Sequence, residues 1–206
     1  MNKIDRLDIL QEMVNIGFGR SSAAVADLLD VFITMSVPKI LDISASKIRS
    51  YLIDEIGLIE KVSMVRQMFR GDFCGETVMV FPEWSDSILI SLAASFSDHS
   101  SLDCKIMQEE MLLELGNIIF GACMGKIAEL LDTILSYSVP QIILKRTPIS
   151  QLSARNFGEE RRVLVIENVL SIDEKKAKFY LFIMVNSKSL SWLYQTLDKS
   201  LGSFSV

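Results

Sequence analysis

Glu12 and Glu114 each precede an asparagine, Asn15 and Asn117, by three positions. On a helix, that separation returns a side chain to the same ridge, so each pair would present a carboxylate beside a carboxamide. Asparagine does not titrate near neutral pH and cannot act as a general base. Its carboxamide donates and accepts hydrogen bonds, however, and can hold a water in line with an electrophile, as a glutamine does in some nucleoside triphosphatases. The neighbouring carboxylate can pair with a cation on a partner and fix its register. Asp8 and Glu110 lie four residues before the glutamates, and Gly19 and Gly121 lie four residues after the asparagines. A glycine there leaves room for a partner's backbone. Each set reads as an acid, a glutamate, an asparagine and a gap: a site completed by another protein.

A solitary Glu-x-x-Asn is ordinarily surface decoration, because glutamate is a common solvent-facing helix former. Here the pair sits inside a longer repeat. "EMVNIGFGRSSAAVADLLDVFITMSVP", residues 12 to 38, is matched without a gap by "ELGNIIFGACMGKIAELLDTILSYSVP", residues 114 to 140. Asparagine, a mediocre helix former, therefore occupies the same mid-helix register twice. Leu28 with Leu130, Leu29 with Leu131 and Phe18 with Phe120 also recur, and core packing accounts for them.

Two halves on one plan must position these residues. From Ile4, apolar residues return at three- and four-residue intervals, which predicts a helix of about nine turns. Pro38 closes it, since the residue before a proline is disfavoured in helix. "KILDIS" then reads as a strand, "KIRSYLIDEIG" is ambiguous, and "KVSMVRQMFR" with "ETVMVFP" reads as a hairpin around "GDFCG". "EWSDSILISLAASF" fits a helix capped by Ser85 or Asp86, and "SDHSSLD" links the halves. The second half repeats the order. A long helix spans residues 107 to 136 and "QIILK" is a strand; "RRVLVIENVL" and "KAKFYLFIMV" pair around "SIDEKK", and "SKSLSWLYQTLDKSL" is a closing helix. The expected architecture is α/β: a single domain over residues 1–206 with an internal pseudo-twofold repeat, one copy about 4–97 and the other about 104–202. Its sheet would be joined from both halves and covered by the long helices.

Composition narrows the chemistry. Half of the 206 residues are apolar, enough for a sizeable core. A net charge of −5 and isolated Arg161-Arg162 and Lys175-Lys176 pairs lack the basic patch that nucleic acid requires. Cys74, Cys104 and Cys123 have neither disulfide nor zinc spacing, which fits a reducing cytoplasm. The N-terminus "MNKIDRLDIL" lacks a signal-peptide core, and no uninterrupted apolar run suits a bilayer, so neither export nor membrane insertion is expected. His99, the single histidine, reads as an exposed loop residue and leaves a serine or cysteine nucleophile without a base. "GFGRSS" lies within a helix rather than between a strand and a helix, unlike a phosphate loop. Met64, Met68, Met79 and Met184 read as core filling in strands, and Trp84 and Trp192 as packing anchors.

The pattern Asp8-x3-Glu12-x2-Asn15-x22-Pro38, with Glu114, Asn117 and Pro140 at the same spacing in the second copy, resembles the signature of the CheC-type chemotaxis phosphatases, which include CheX and FliY. The likeness covers nearly the whole chain, and two motif copies place it nearer the two-site members. The resemblance implies hydrolysis of the aspartyl phosphate on a CheY-like response-regulator receiver domain. Asn15 and Asn117 would orient the attacking water, while Glu12 and Glu114 would anchor to the receiver's lysine. Asp8, Gly19, Glu110 and Gly121 would line the contact. It also implies that magnesium sits on the receiver, so that this chain needs no cofactor of its own. Glu110 departs from the family's usual Asp or Ser, which favours the first site. A non-catalytic adaptor that binds a receiver, or the receptor deamidase CheD, is the alternative.

Overall fold

Apolar spacing winds the first long helix, α1, over Lys3–Leu29; after it come β1 (Ile33–Met35), β2 (Lys39–Ser44) and a 3-10 turn at Ala45–Lys47. The ambiguous segment is a helix, α2 (Ile48–Ile56), and the first hairpin is β3 (Lys61–Arg70) with β4 (Gly75–Pro82). The second half supplies α3 (Asp103–Leu130), β5 (Ser136–Tyr137), β6 (Gln141–Pro148), a 3-10 turn at Ile149–Gln151, β7 (Arg162–Ile172), β8 (Lys175–Val185) and α4 (Ser187–Gly202). This computed structural model describes residues 3–30, 32–85, 87–88, 103–153, 157, 161–172 and 175–202. The expected linker and His99 lie outside them, as does most of the helix expected after Pro82. Residues 83–85 and 87–88 of that helix are helical. Ser85 lies inside the turn, and its buried hydroxyl accepts from the Lys178 backbone N–H instead of capping.

Both long helices stop earlier than their apolar rhythm suggests. α1 has 27 residues, about seven and a half turns, and Asp30 follows it with φ 46°. Asp132 takes φ 49° after α3, and the Thr133 N–H reaches back to the Ala128 carbonyl at 3.0 Å, a Schellman-type closure. Beyond each stop the chain turns into a short strand, the apolar β1 in the first half and β5 in the second. Alternating and helical apolar patterns are hard to separate over so few residues.

All eight strands form one antiparallel sheet. Its path runs β1-β7-β8-β4-β3-β5, with β2 also on β7 and β6 also on β3. The two hairpins therefore meet at β4 and β8, while the first strands of each half cross over to the outer edge of the other half's hairpin. Ser36 and Ser138, from the repeated Ser-Val-Pro, clasp those edges in the same way. The Ser36 N–H and Oγ bond the carbonyl and N–H of Val169 at 2.9 and 3.0 Å, and the Asn168 amide donates to the Ser36 carbonyl at 2.6 Å. Ser138 bonds Met68 at 2.9 and 3.0 Å and accepts from the Gln67 amide at 2.7 Å.

Strand alternation builds two cores. On one face Met79, Phe81, Leu164, Ile166, Phe179 and Leu181 pack under α1, α3 and α4. On the other, Val78, Val80, Val163, Val165, Tyr180 and Phe182 pack under α2 and the 3-10 turns. Met64, Met79 and Met184 fill core as expected, whereas Met68 is 43% exposed. Trp192 stacks on Phe73 at 5.2 Å, but Trp84 is 42% exposed and anchors nothing comparable. Phe18, Phe120 and Leu131 are buried; Leu28 and Leu130, also expected in the core, are each 38% exposed near the helix ends.

Candidate functional site

A helix laid on a sheet keeps one stripe for solvent. On α1 the buried stripe is Leu10, Val14 and Phe18, and on α3 it is Leu112, Leu115, Ile119 and Phe120. The polar residues singled out by spacing fall opposite. Asp8, Glu12 and Gly19 are exposed on α1, and Glu110, Glu114, Asn117 and Gly121 are exposed on α3, while Asn15 is half-buried. Glutamate and asparagine within each pair stand about 4.5 Å apart along the axis and about 60° apart around it. None of these acids and amides takes part in a hydrogen bond or ion pair with the described residues. Their polar atoms remain available to a partner.

The glycines divide by role. Gly17 faces inward, and a β-carbon there would lie 2.8 Å from the Ala122 carbonyl oxygen, so α1 and α3 touch backbone to backbone at that point. At Gly19 and Gly121 an added β-carbon would meet nothing within 4 Å. These two open onto solvent one turn past the asparagines.

Three features of the neighbourhood were not read from the sequence. Ile16 is 40% exposed beside Asn15, a one-sided apolar contact on the ridge. Arg20 of α1 donates to Glu129 of α3 at 3.0 Å, and Lys126 donates to the same carboxylate at 2.7 Å. The hydrogen bond from Lys126 and the one from Arg20 hold the Glu129 carboxyl below its ordinary range. Neither cation recurs in the other half, where Ala24 and Ala122 stand, so the repeat gave no signal for them. Ser36 and Ser138 do recur, and their shared spacing was the available clue to the clasps.

Among the described residues no group of three histidine, cysteine or acidic side chains is placed to hold a metal ion. By length and composition Glu109–Leu130 passes for a bilayer span, although its sequence is broken by charges. Its apolar stripe packs on the sheet and its other side carries Glu110, Glu114 and Asn117, the arrangement of a core helix with a polar outer ridge. What the arrangement offers chemically is a pair of ridges, each with a carboxamide that can hydrogen-bond a water and a carboxylate that can pair with a cation.

No family model matches the sequence. The chain is 28% identical over 208 residues to the CheY-P phosphatase CheC of Bacillus subtilis (strain 168), covering 97% of both. In structure it is similar to FliY of Thermotoga maritima, with a TM-score of 0.75 at 17% identity over 97% of this chain and 98% of that one. It is also similar to a chain of the FliM–SpeE complex from H. pylori, with a TM-score of 0.67 at 8% identity over 97% of each. At those identities the two structural likenesses concern the fold.

Proposed function

We propose that the chain is a CheC/CheX/FliY-type protein and that it hydrolyses the aspartyl phosphate of a CheY-like receiver domain in chemotaxis signalling, in the cytoplasm, a reading supported by the likeness to CheC along nearly the whole chain and by the FliY-like fold. The observation that carries this reading is the pair of solvent-open Glu/Asn ridges at matching positions of α1 and α3, none of whose polar groups is engaged within the described residues.

A receiver docks with its acyl phosphate against one ridge. The Asn15 or Asn117 carboxamide accepts a hydrogen bond from a water and donates to the surroundings of the phosphoryl group, holding the water oxygen in line with phosphorus. The water's O–P bond forms as the bond to the aspartyl oxygen breaks, leaving inorganic phosphate and a free carboxylate on the receiver. Such transfers need position and charge more than covalent help, so an amide suffices where a base is absent. Glu12 or Glu114 pairs with a cationic side chain of the receiver and sets the register. A divalent ion held by the receiver's own acidic residues would offset the phosphoryl charge. The glycines leave space for the receiver's backbone.

The test is loss of phosphate from a phosphorylated receiver in the presence of substoichiometric chain. Asn15→Ala and Asn117→Ala should each lose part of the activity, and the double variant about a hundredfold, the scale of lost alignment. Undiminished turnover by the double variant would remove the asparagines from the mechanism.

A further inference from the structure

On β3, alternate side chains point to opposite faces, so Arg66, Met68 and Arg70 share the face turned away from the long helices, while the odd-numbered Val65 and Phe69 belong to the long-helix core. α2 and the 3-10 turns cover this second face over Met64 and Val78, but not as far as Met68, which remains 43% exposed. Two adjoining hollows of about 260 and 230 Å³ lie at that uncovered end. The first is bounded by Arg161, Glu76, Asn186, Met68 and Arg70, and the second by Met68, Arg70 and Tyr137. Sharing Met68 and Arg70, they form one trough that crosses β8, β4, β3 and β5. At about 4.8 Å between strands, the trough is about 14 Å long, room for four or five extended residues.

Its charge runs against that of the molecule. The chain carries −5 overall, yet here Arg70 and Arg161 share the lining with a single carboxylate, Glu76, and Arg66 stands beside it. Glu76 is 13% exposed, pairs with Arg161 and has Arg66 at 3.9 Å. Arg70 has no acceptor among the described residues. Among the lining residues one positive charge is left over, on Arg70, above a floor that includes Met68 and the 39% exposed Tyr137. Methionine adapts to varied apolar side chains, and a guanidinium takes a carboxylate in a two-pronged grip. β3, β4 and β8 have neighbours on both sides, so a visitor cannot extend the ladder and must be held through side chains.

We infer that this trough docks a short acidic segment of a partner protein, one alternating carboxylate and medium-sized apolar side chains. A few arginines and a single tyrosine are too few for nucleic acid. The trough lies across the sheet from α1 and α3, so the partner can be held while the ridges stay open. The inference does not depend on what those ridges do.

The experiment is fluorescence anisotropy of the full chain with a fluorescein-labelled peptide of alternating glutamate and leucine, against a lysine-leucine control. The acidic peptide should bind and the control should not. Arg70→Glu and Met68→Asp should each weaken binding by at least about tenfold with the fold intact by circular dichroism, because both sit at the shared centre of the trough. Arg161→Lys keeps a cation on Glu76 and should weaken it less. Added salt should reduce binding. Equal binding of both peptides, no binding of the acidic one, wild-type affinity in Arg70→Glu, or capture of phosphatidylserine vesicles without peptide binding would each overturn the inference.

Discussion

A carboxamide can hold a water in place only if it reaches that water, and the two asparagines differ in reach: Asn117 is exposed and Asn15 is half-buried. Asn117→Ala should therefore cost more turnover than Asn15→Ala in initial-rate measurements on a phosphorylated receiver, the reverse of the ranking that Glu110 suggests from the sequence. If Glu12 and Glu114 anchor the receiver as proposed, Glu12→Ala and Glu114→Ala should raise the receiver concentration for half-maximal rate several-fold while the maximal rate changes less. These four residues were legible in the sequence because a fixed spacing recurred on a helical period. The Arg20–Glu129 pair was not, because its partners are 109 residues apart and neither is part of a matching set. Nor could composition separate Gly17, which packs, from Gly19, which is open; the difference lies in what stands opposite each backbone.

Helices and strands carry the glycine distinction into stability. Gly17→Ala forces a β-carbon to within 2.8 Å of the Ala122 carbonyl oxygen, so α1 and α3 must separate; urea unfolding should show a loss of about 1–3 kcal/mol. Gly19→Ala has open space and gains helix propensity, so it should be neutral or stabilising by up to about 1 kcal/mol. The hairpins and the amphipathic closing helix were readable because their patterns are local. The ends of α1 and α3 were not, since aspartates in left-handed conformation at Asp30 and Asp132 do what glycine usually does there. The clasps by Ser36 and Ser138 were visible as repeated letters, but their bonds go to the other half's hairpin, beyond any local pattern.

At the scale of the molecule, exchange of edge strands binds the halves into one sheet: β1 and β2 complete β7, and β5 and β6 complete β3. An α/β sheet built from both halves followed from the sequence, but the exchange did not, because pairing such as Leu41 with Val165 joins positions in different halves. Ion pairs across these elements make stability depend on acid. The hydrogen bond from Arg6 holds the Asp198 carboxyl below its ordinary range, as Lys126 and Arg20 do for Glu129. With folded values depressed, these groups stabilise the fold above the unfolded carboxylate range near about 4 and lose that contribution as pH falls through their folded values. The thermal midpoint should drop on going from pH 5 to about pH 3, and Asp198→Asn should flatten part of that drop. The central claim, that Asn15 and Asn117 align water on a visiting acyl phosphate, is tested most directly by measuring binding and hydrolysis side by side in the Asn15→Ala/Asn117→Ala double variant. It should bind a beryllofluoride-loaded receiver within about threefold of wild type, the contact being held by the glutamates, while hydrolysing the phosphorylated receiver about a hundredfold more slowly. Hydrolysis at the wild-type rate, with binding intact, would contradict it.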